Sequence, residues 1–159
     1  MNGQLKTYTR GILNQTQYKK DMKFGFSAEI SVLQKLKEKY GNNIKKYEDF
    51  YSKMDYYLVN DNGDVIRNFE LKSRRVKFGQ YPSLCFNGSK FVSMKDNLNK
   101  YAIPTTILFN LTNGLYMWDY TTKTKTSEYF IGEIANCKRN DKKMDAVFVY
   151  NKYILPFLP

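Results

Sequence analysis

In the segment NFELKSRR, residues 68–75, Glu70 and Lys72 stand two apart in a run that reads as a β-strand. Alternation puts both on one face, with Phe69 and Leu71 on the other. Such a pair can be an exposed ion pair worth at most about 1 kcal/mol. It can also hold a hard cation and orient a water against a phosphodiester. The chain contains no histidine. That removes Ser–His triads, the usual Cys–His pairs, ordinary Cys/His zinc sites and imidazole-based nuclease chemistry. Any hydrolysis would have to run on carboxylates, lysine and a hard metal such as Mg²⁺.

Two more carboxylates are candidates. The runs Met54–Asn60 and Val65–Ser73 are joined by DNGD, and Asn-Gly between alternating apolar runs is a strong hairpin signal. With Asn62 and Gly63 as the two loop residues of a type I′ turn, Asp61 pairs with Asp64, and the register carries Asp55 opposite Glu70. Facing carboxylates about 5 Å apart repel, so a compensating cation is expected between them, with Lys72 one step beyond. The third is Glu29. The helix expected from Ser27 to Tyr40 carries Phe26, Ile30, Leu33, Leu36 and Tyr40 at spacings of three and four. Glu29 falls within that apolar stripe, where a carboxylate is rare unless paired or metal-bound. A first-turn glutamate that serves the helix dipole and turns to solvent is the plainer alternative.

The elements that must position these groups follow in order. After the helix, stopped by YGNN, and the hairpin comes RRVKFGQYPSLCFNG, an expected loop or irregular strand. A second helix is expected from Ser89 to about Tyr101, with Phe91, Met94, Leu98 and Tyr101 on one side. The apolar strand TTILFNL, a second Asn-Gly turn and the strand LYMWDY follow, then a Lys/Thr-rich link and a last strand at MDAVFVY. This order predicts an α/β or α+β layer around one sheet. The length fits one domain over residues 21–159, preceded by a polar, basic arm over residues 1–20.

The net charge of +11, from 26 Lys and Arg against 15 Asp and Glu, favours a polyanionic partner. Abundant Lys, Asn and Tyr also follow from AT-rich coding, so charge alone does not decide. No apolar run approaches the length of about 18 residues that spans a bilayer, and the first residues lack the apolar core of a signal peptide. The 2 cysteines, Cys85 and Cys137, show no metal spacing. A soluble, intracellular protein with no membrane partner is the expectation.

The motifs FSAEISVLQKL, MDYYLV and FELKSR, in this order, resemble the PD-(D/E)XK nuclease superfamily, the restriction-endonuclease-like fold. The resemblance covers about residues 24–112 and is closest to small single-domain members, including archaeal-type Holliday junction resolvases and related viral or phage nucleases. Met54 stands where the motif often has proline, and the chain after Thr112 has no counterpart. The resemblance implies an αβββαβ core, a central mixed sheet flanked by helices, here with extra C-terminal strands. It implies Mg²⁺ or Mn²⁺ held by Asp55, Glu70 and the Leu71 main-chain carbonyl, with Glu29 as a direct or water-bridged ligand, and Lys72 orienting or deprotonating the water. Hydrolysis of DNA would leave 5′-phosphate and 3′-hydroxyl ends, with RNA the other polynucleotide left open. Arg74, Arg75, Lys77 and Lys90 would contact backbone phosphates, and a homodimer or higher homo-oligomer would supply one site per strand. The rival readings are a non-catalytic nucleic-acid-binding module with the same fold, and a basic protein that docks on acidic surfaces. The last requires that Glu29, Asp55 and Glu70 do not converge.

Overall fold

The structure, a computed structural model, describes residues 19–20, 23–24, 27–49, 53–135 and 143–158. Residues 1–18 of the expected basic arm, Phe26 and Cys137 lie outside the described residues. Helix α1 runs over residues 27–40. Gly41, at φ 67°, takes the left-handed conformation that ends it. Then come β1 (Ile44–Lys46), β2 (Tyr56–Val59), β3 (Val65–Ser73), β4 (Ser83–Asn87), α2 (Gly88–Tyr101), β5 (Thr105–Leu111), β6 (Gly114–Tyr120), β7 (Tyr129–Ala135), β8 (Lys143–Tyr150) and β9 (Leu155–Pro156). Among the described residues no helix is long and apolar enough to cross a membrane.

The class is α+β, with two sheets rather than the single sheet expected. The larger is mixed, in the order β1-β2-β3-β5-β6-β9, and the smaller runs β4-β8-β7. Strand β3 pairs antiparallel with β2 and parallel with β5, so α2 lies in the crossover between two parallel neighbours. The segment read as loop contains β4, and the Lys/Thr-rich link leads into β7; both pair with β8. Pairing with β8, distant in the chain, is what makes both of them strands.

Each face of the larger sheet has its own core. On one side Val32 and Leu36 of α1 pack with Ile44, Tyr56, Phe69, Leu108 and Leu115. The buried stripe of α1 is Ala28, Val32 and Leu36, with Leu33 and Tyr40 partly buried, whereas Ile30 is 56% exposed. On the other side Phe91 and Met94 of α2 and Leu84, Phe86, Val147 and Val149 of the smaller sheet pack on Ile107, Phe109 and Trp118. Phe86 and Trp118 are core residues, as packing of large aromatics favours. Tyr101, expected on the apolar side of α2, is 68% exposed.

The hairpin that sets the register is not built on a type I′ turn. Asn60 N–H donates to Asp64 O at 2.9 Å, Gly63 N–H donates to Asn60 O at 3.0 Å, and the Asn60 side-chain oxygen accepts from Asn62 and Asp64 N–H. The Asn60 side chain thus closes a longer loop, with Gly63 at φ 83°. That alone would slip the ladder by one residue. A register shift between Leu58 and Val59 cancels the slip, so Leu58↔Arg67, Tyr57↔Asn68 and Tyr56↔Phe69 pair as the sequence predicts.

Candidate active site

Strand alternation in β3 puts Phe69 and Leu71 toward α1 and Asn68, Glu70 and Lys72 toward α2. Because β3 lies between β2 and β5, this polar row is interior: Asn68 is 3% and Glu70 2% exposed. The Lys72 ammonium lies 2.8 Å from Glu70 Oε1. The Lys90 ammonium lies 3.4 Å from the same oxygen and also donates to the main-chain carbonyl of Lys53. The other carboxylate oxygen, Oε2, is buried and has no hydrogen-bond partner among the described residues.

Asp55 completes this group from just before β2. The paired ladder ends at Tyr56↔Phe69, and Asp55 N–H donates to Phe69 O at 3.0 Å. Its carboxylate turns over the strand end and accepts the Leu71 N–H at 2.8 Å. Asp55 therefore comes to the Glu70 side by bonding β3 just past the end of the β2–β3 ladder, not as a laddered partner. In an extended strand the N–H and C=O of one residue point the same way, so the Leu71 carbonyl is aimed at this same strand end. The Glu70 carboxyl pKa is raised: burial is the main cause, the Lys72 charge opposes it, Asp55 adds to it, and Lys90 opposes it more weakly. The Asp55 effect is the electrostatic sign of two acids set close together.

Glu29 does not join them. Its carboxylate pairs with Lys46 at 2.9 Å in a half-exposed ion pair, while its main-chain carbonyl accepts from the Tyr56 hydroxyl at 3.0 Å. Tyr56 stands between Glu29 and the Asp55–Glu70 pair. Burial pushes its hydroxyl pKa up, and Asp55, Glu29 and Glu70 add in that order. The cause of the displacement is on α1 itself: with Ala28 and Val32 buried, Glu29 lies at the border of the stripe, where Lys46 on edge strand β1 meets it.

Lys90 lies within the cluster, its ammonium against Glu70 Oε1. The Asn87 side chain caps α2 by accepting the Ser89 N–H at 2.8 Å. Gly88 packs so closely on β8 that a Cβ there would lie 3.0 Å from Asp145 Cβ and O. These two features fix the first turn of α2 against β8, from where Lys90 reaches Glu70 of β3. Arg74, Arg75 and Lys77 are exposed on the segment leaving β3. The Arg74 guanidinium donates to Ser73 O at 3.0 Å, and that of Arg75 lies 4.7 Å from the Phe24 ring centre. Sequence reasoning passed over Asn68, whose period-two spacing to Glu70 and Lys72 marks the same row, and Tyr47, whose hydroxyl donates to Asn68 Oδ1 at 2.6 Å.

Among the described residues no group of three or more His, Cys, Asp or Glu side chains is placed to hold a metal. Two carboxylates are nonetheless a sufficient protein share for Mg²⁺, which keeps several waters and binds through one or two carboxylates plus substrate phosphates. The orphaned Glu70 Oε2, the Asp55 carboxylate and an all-oxygen donor set fit a hard divalent cation. Comparison with family models, curated proteins and solved structures yields no match to this chain.

Proposed function

We propose that the protein is a metal-dependent nuclease of PD-(D/E)XK type that hydrolyses DNA phosphodiesters. The observation that carries this reading is Glu70: a buried carboxylate with one oxygen shared by two lysines, the other without a partner, and a second carboxylate alongside. A surface ion pair has no such orphaned oxygen. The chain order of helix, three antiparallel strands, the smaller-sheet strand β4, helix and a strand parallel to β3 supports the resemblance carried by the sequence motifs, with β4 inserted before the second helix.

In this reading Asp55, Glu70 and the Leu71 carbonyl hold Mg²⁺ or Mn²⁺, and Glu29 stands outside the ligand set. A cation held there supplies charge neutralisation at the scissile phosphate and a lowered pKa for an attacking water. Lys72, on the same strand face as Glu70, directs its ammonium at the reacting phosphate oxygens and orients the water. Lys90, tethered to Lys53 O, adds a second positive charge where negative charge builds on the phosphate. Arg74 and Lys77 contact neighbouring phosphates without reading bases. In-line attack leaves a 5′-phosphate and a 3′-hydroxyl.

The test is a cleavage panel with Mg²⁺ on plasmid, linear, single-stranded and four-way branched DNA. Wild type is expected to cut only with the cation, and Asp55→Ala and Lys72→Ala each to lose at least about 100-fold in rate. Metal-dependent cutting that survives both substitutions places the chemistry elsewhere. Salt-sensitive DNA binding with no divalent-ion site by calorimetry identifies the non-catalytic binding module instead.

A further inference from the structure

The site described so far grips phosphates and says nothing about bases. Next to it, on the same side of the larger sheet, is a small patch that the proposed chemistry does not use. Lys45 and Tyr57 pair across β1 and β2, so their side chains share a face. The neighbouring pair Lys46↔Tyr56 points to the other side, as the Lys46–Glu29 ion pair and the Tyr56–Glu29 hydrogen bond require. Tyr57 also pairs with Asn68, the neighbour of Glu70 in the buried polar row. Two residues along the strand, about 7 Å, separate Tyr57 from Asp55.

Tyr47 continues this face past the end of β1. Its ring lies 4.5 Å from that of Tyr57, centre to centre, at 41°. Its hydroxyl is anchored on the buried Asn68 side chain at 2.6 Å, and its N–H donates to the Asp55 carbonyl at 3.0 Å. Tyr47 is therefore fixed, and it backs one side of Tyr57. Tyr57 itself is only half-buried and is packed into neither of the two cores. The ring is thus supported from behind by Tyr47 and stays partly open to solvent beside the exposed Lys45.

We propose that Tyr57, backed by Tyr47 and flanked by Lys45, is a stacking subsite for one unpaired base next to a backbone phosphate drawn by Lys72 and Lys90. The proposal rests on the nucleic-acid reading of that site and sets its substrate class: polynucleotides with unpaired nucleotides at the cut, not continuous duplex. The charges agree with this occupant. Lys45 stands across the strand pair from Tyr57, Lys72 and Lys90 stand on Glu70 in the neighbouring polar row, and aromatic rings interleaved with cations are what sequence-tolerant single-strand recognition uses. A base already in a duplex stack would first have to be unstacked, at a cost of a few kcal/mol.

The test is fluorescence anisotropy of the full chain in EDTA, so that nothing is cut, with a labelled 15-nucleotide single strand and the matching duplex as probes. Wild type is expected to bind the single strand more tightly. Tyr57→Ala and Tyr57→Leu, the latter keeping apolar cover over Tyr47, should each weaken single-strand binding by about 5- to 100-fold and leave duplex binding unchanged. Tyr57→Phe should retain wild-type affinity. A single strand carrying 2-aminopurine should be quenched by wild type and by Tyr57→Phe but not by Tyr57→Leu. Equal affinity of wild type for both probes, or an unaltered single-strand affinity in Tyr57→Leu, overturns the stacking subsite. Failure of the nuclease reading would appear in the cleavage panel alone, because no binding readout here requires a cut.

Discussion

Glu70 carries two ammonium groups on one oxygen and nothing on the other, and its burial determines how it responds to pH. Its carboxyl pKa is raised by burial, against the pull of Lys72 and with a push from Asp55. The folded protein thus holds this proton more tightly than the unfolded chain does. Without metal, that contribution to stability is full at low pH and is lost as pH rises from about 4.5 toward the raised value. Glu70→Gln removes the titration. Urea unfolding at stepped pH above that point should show a shallower decline in the variant than in wild type, and superimposable slopes would assign the titration to another group. A cation must displace the same proton, so Mn²⁺ affinity should rise with pH across this window by up to about tenfold per unit. Calorimetry in buffers of different ionisation enthalpy reads the released proton directly.

At the scale of elements, the site depends on how α2 begins. Gly88 lets the helix approach β8 to a distance that a Cβ would crowd, since the contacts at 3.0 Å are with Asp145 backbone as well as its Cβ. Gly88→Ala restricts the unfolded backbone, a gain of roughly 0.4–1 kcal/mol, but forces the first turn outward, and such crowding costs about 1–3 kcal/mol. We expect a net loss of stability together with weaker placement of Lys90 on Glu70. In cleavage kinetics this should appear as a lower kcat with little change in KM, while thermal melts report the stability loss separately. A variant that melts like wild type and cuts at the wild-type rate would show that Lys90 does not depend on this contact. The hairpin makes the complementary point. Asn-Gly marked the turn correctly, yet Asn60 supplied a different closure, and only the shift at Leu58–Val59 restored the pairing that brings Asp55 to Phe69 and Leu71 of β3. Two local departures cancelled, because burial of Tyr56 and Phe69 toward α1 fixes which face each strand presents.

For the whole molecule, a net charge of +11 predicts binding to polyanions that weakens steeply with salt. The exposed cations Arg74 and Lys77 lie just beyond the end of β3, the strand that carries Glu70 and Lys72. Replacing both with alanine should lower the slope of log K against log salt by about 2 and weaken all DNA sequences alike. An unchanged slope would put the bound backbone on another face.

The chain alone determined what depends on near neighbours: the extent of α1, the strand character of β3, β5 and β6, and the alternation that sets Glu70 and Lys72 side by side. These are period-two and period-3.6 patterns, written within a few residues. Distant partners are not written that way. That β4, β7 and β8 form a second sheet, that Lys90 crosses to Glu70, and that Glu29 pairs with Lys46 instead of the other acids were decided by tertiary packing. A one-residue difference in how a helix face or a crossover seats moves a charged side chain several ångströms, and no local pattern carries that information.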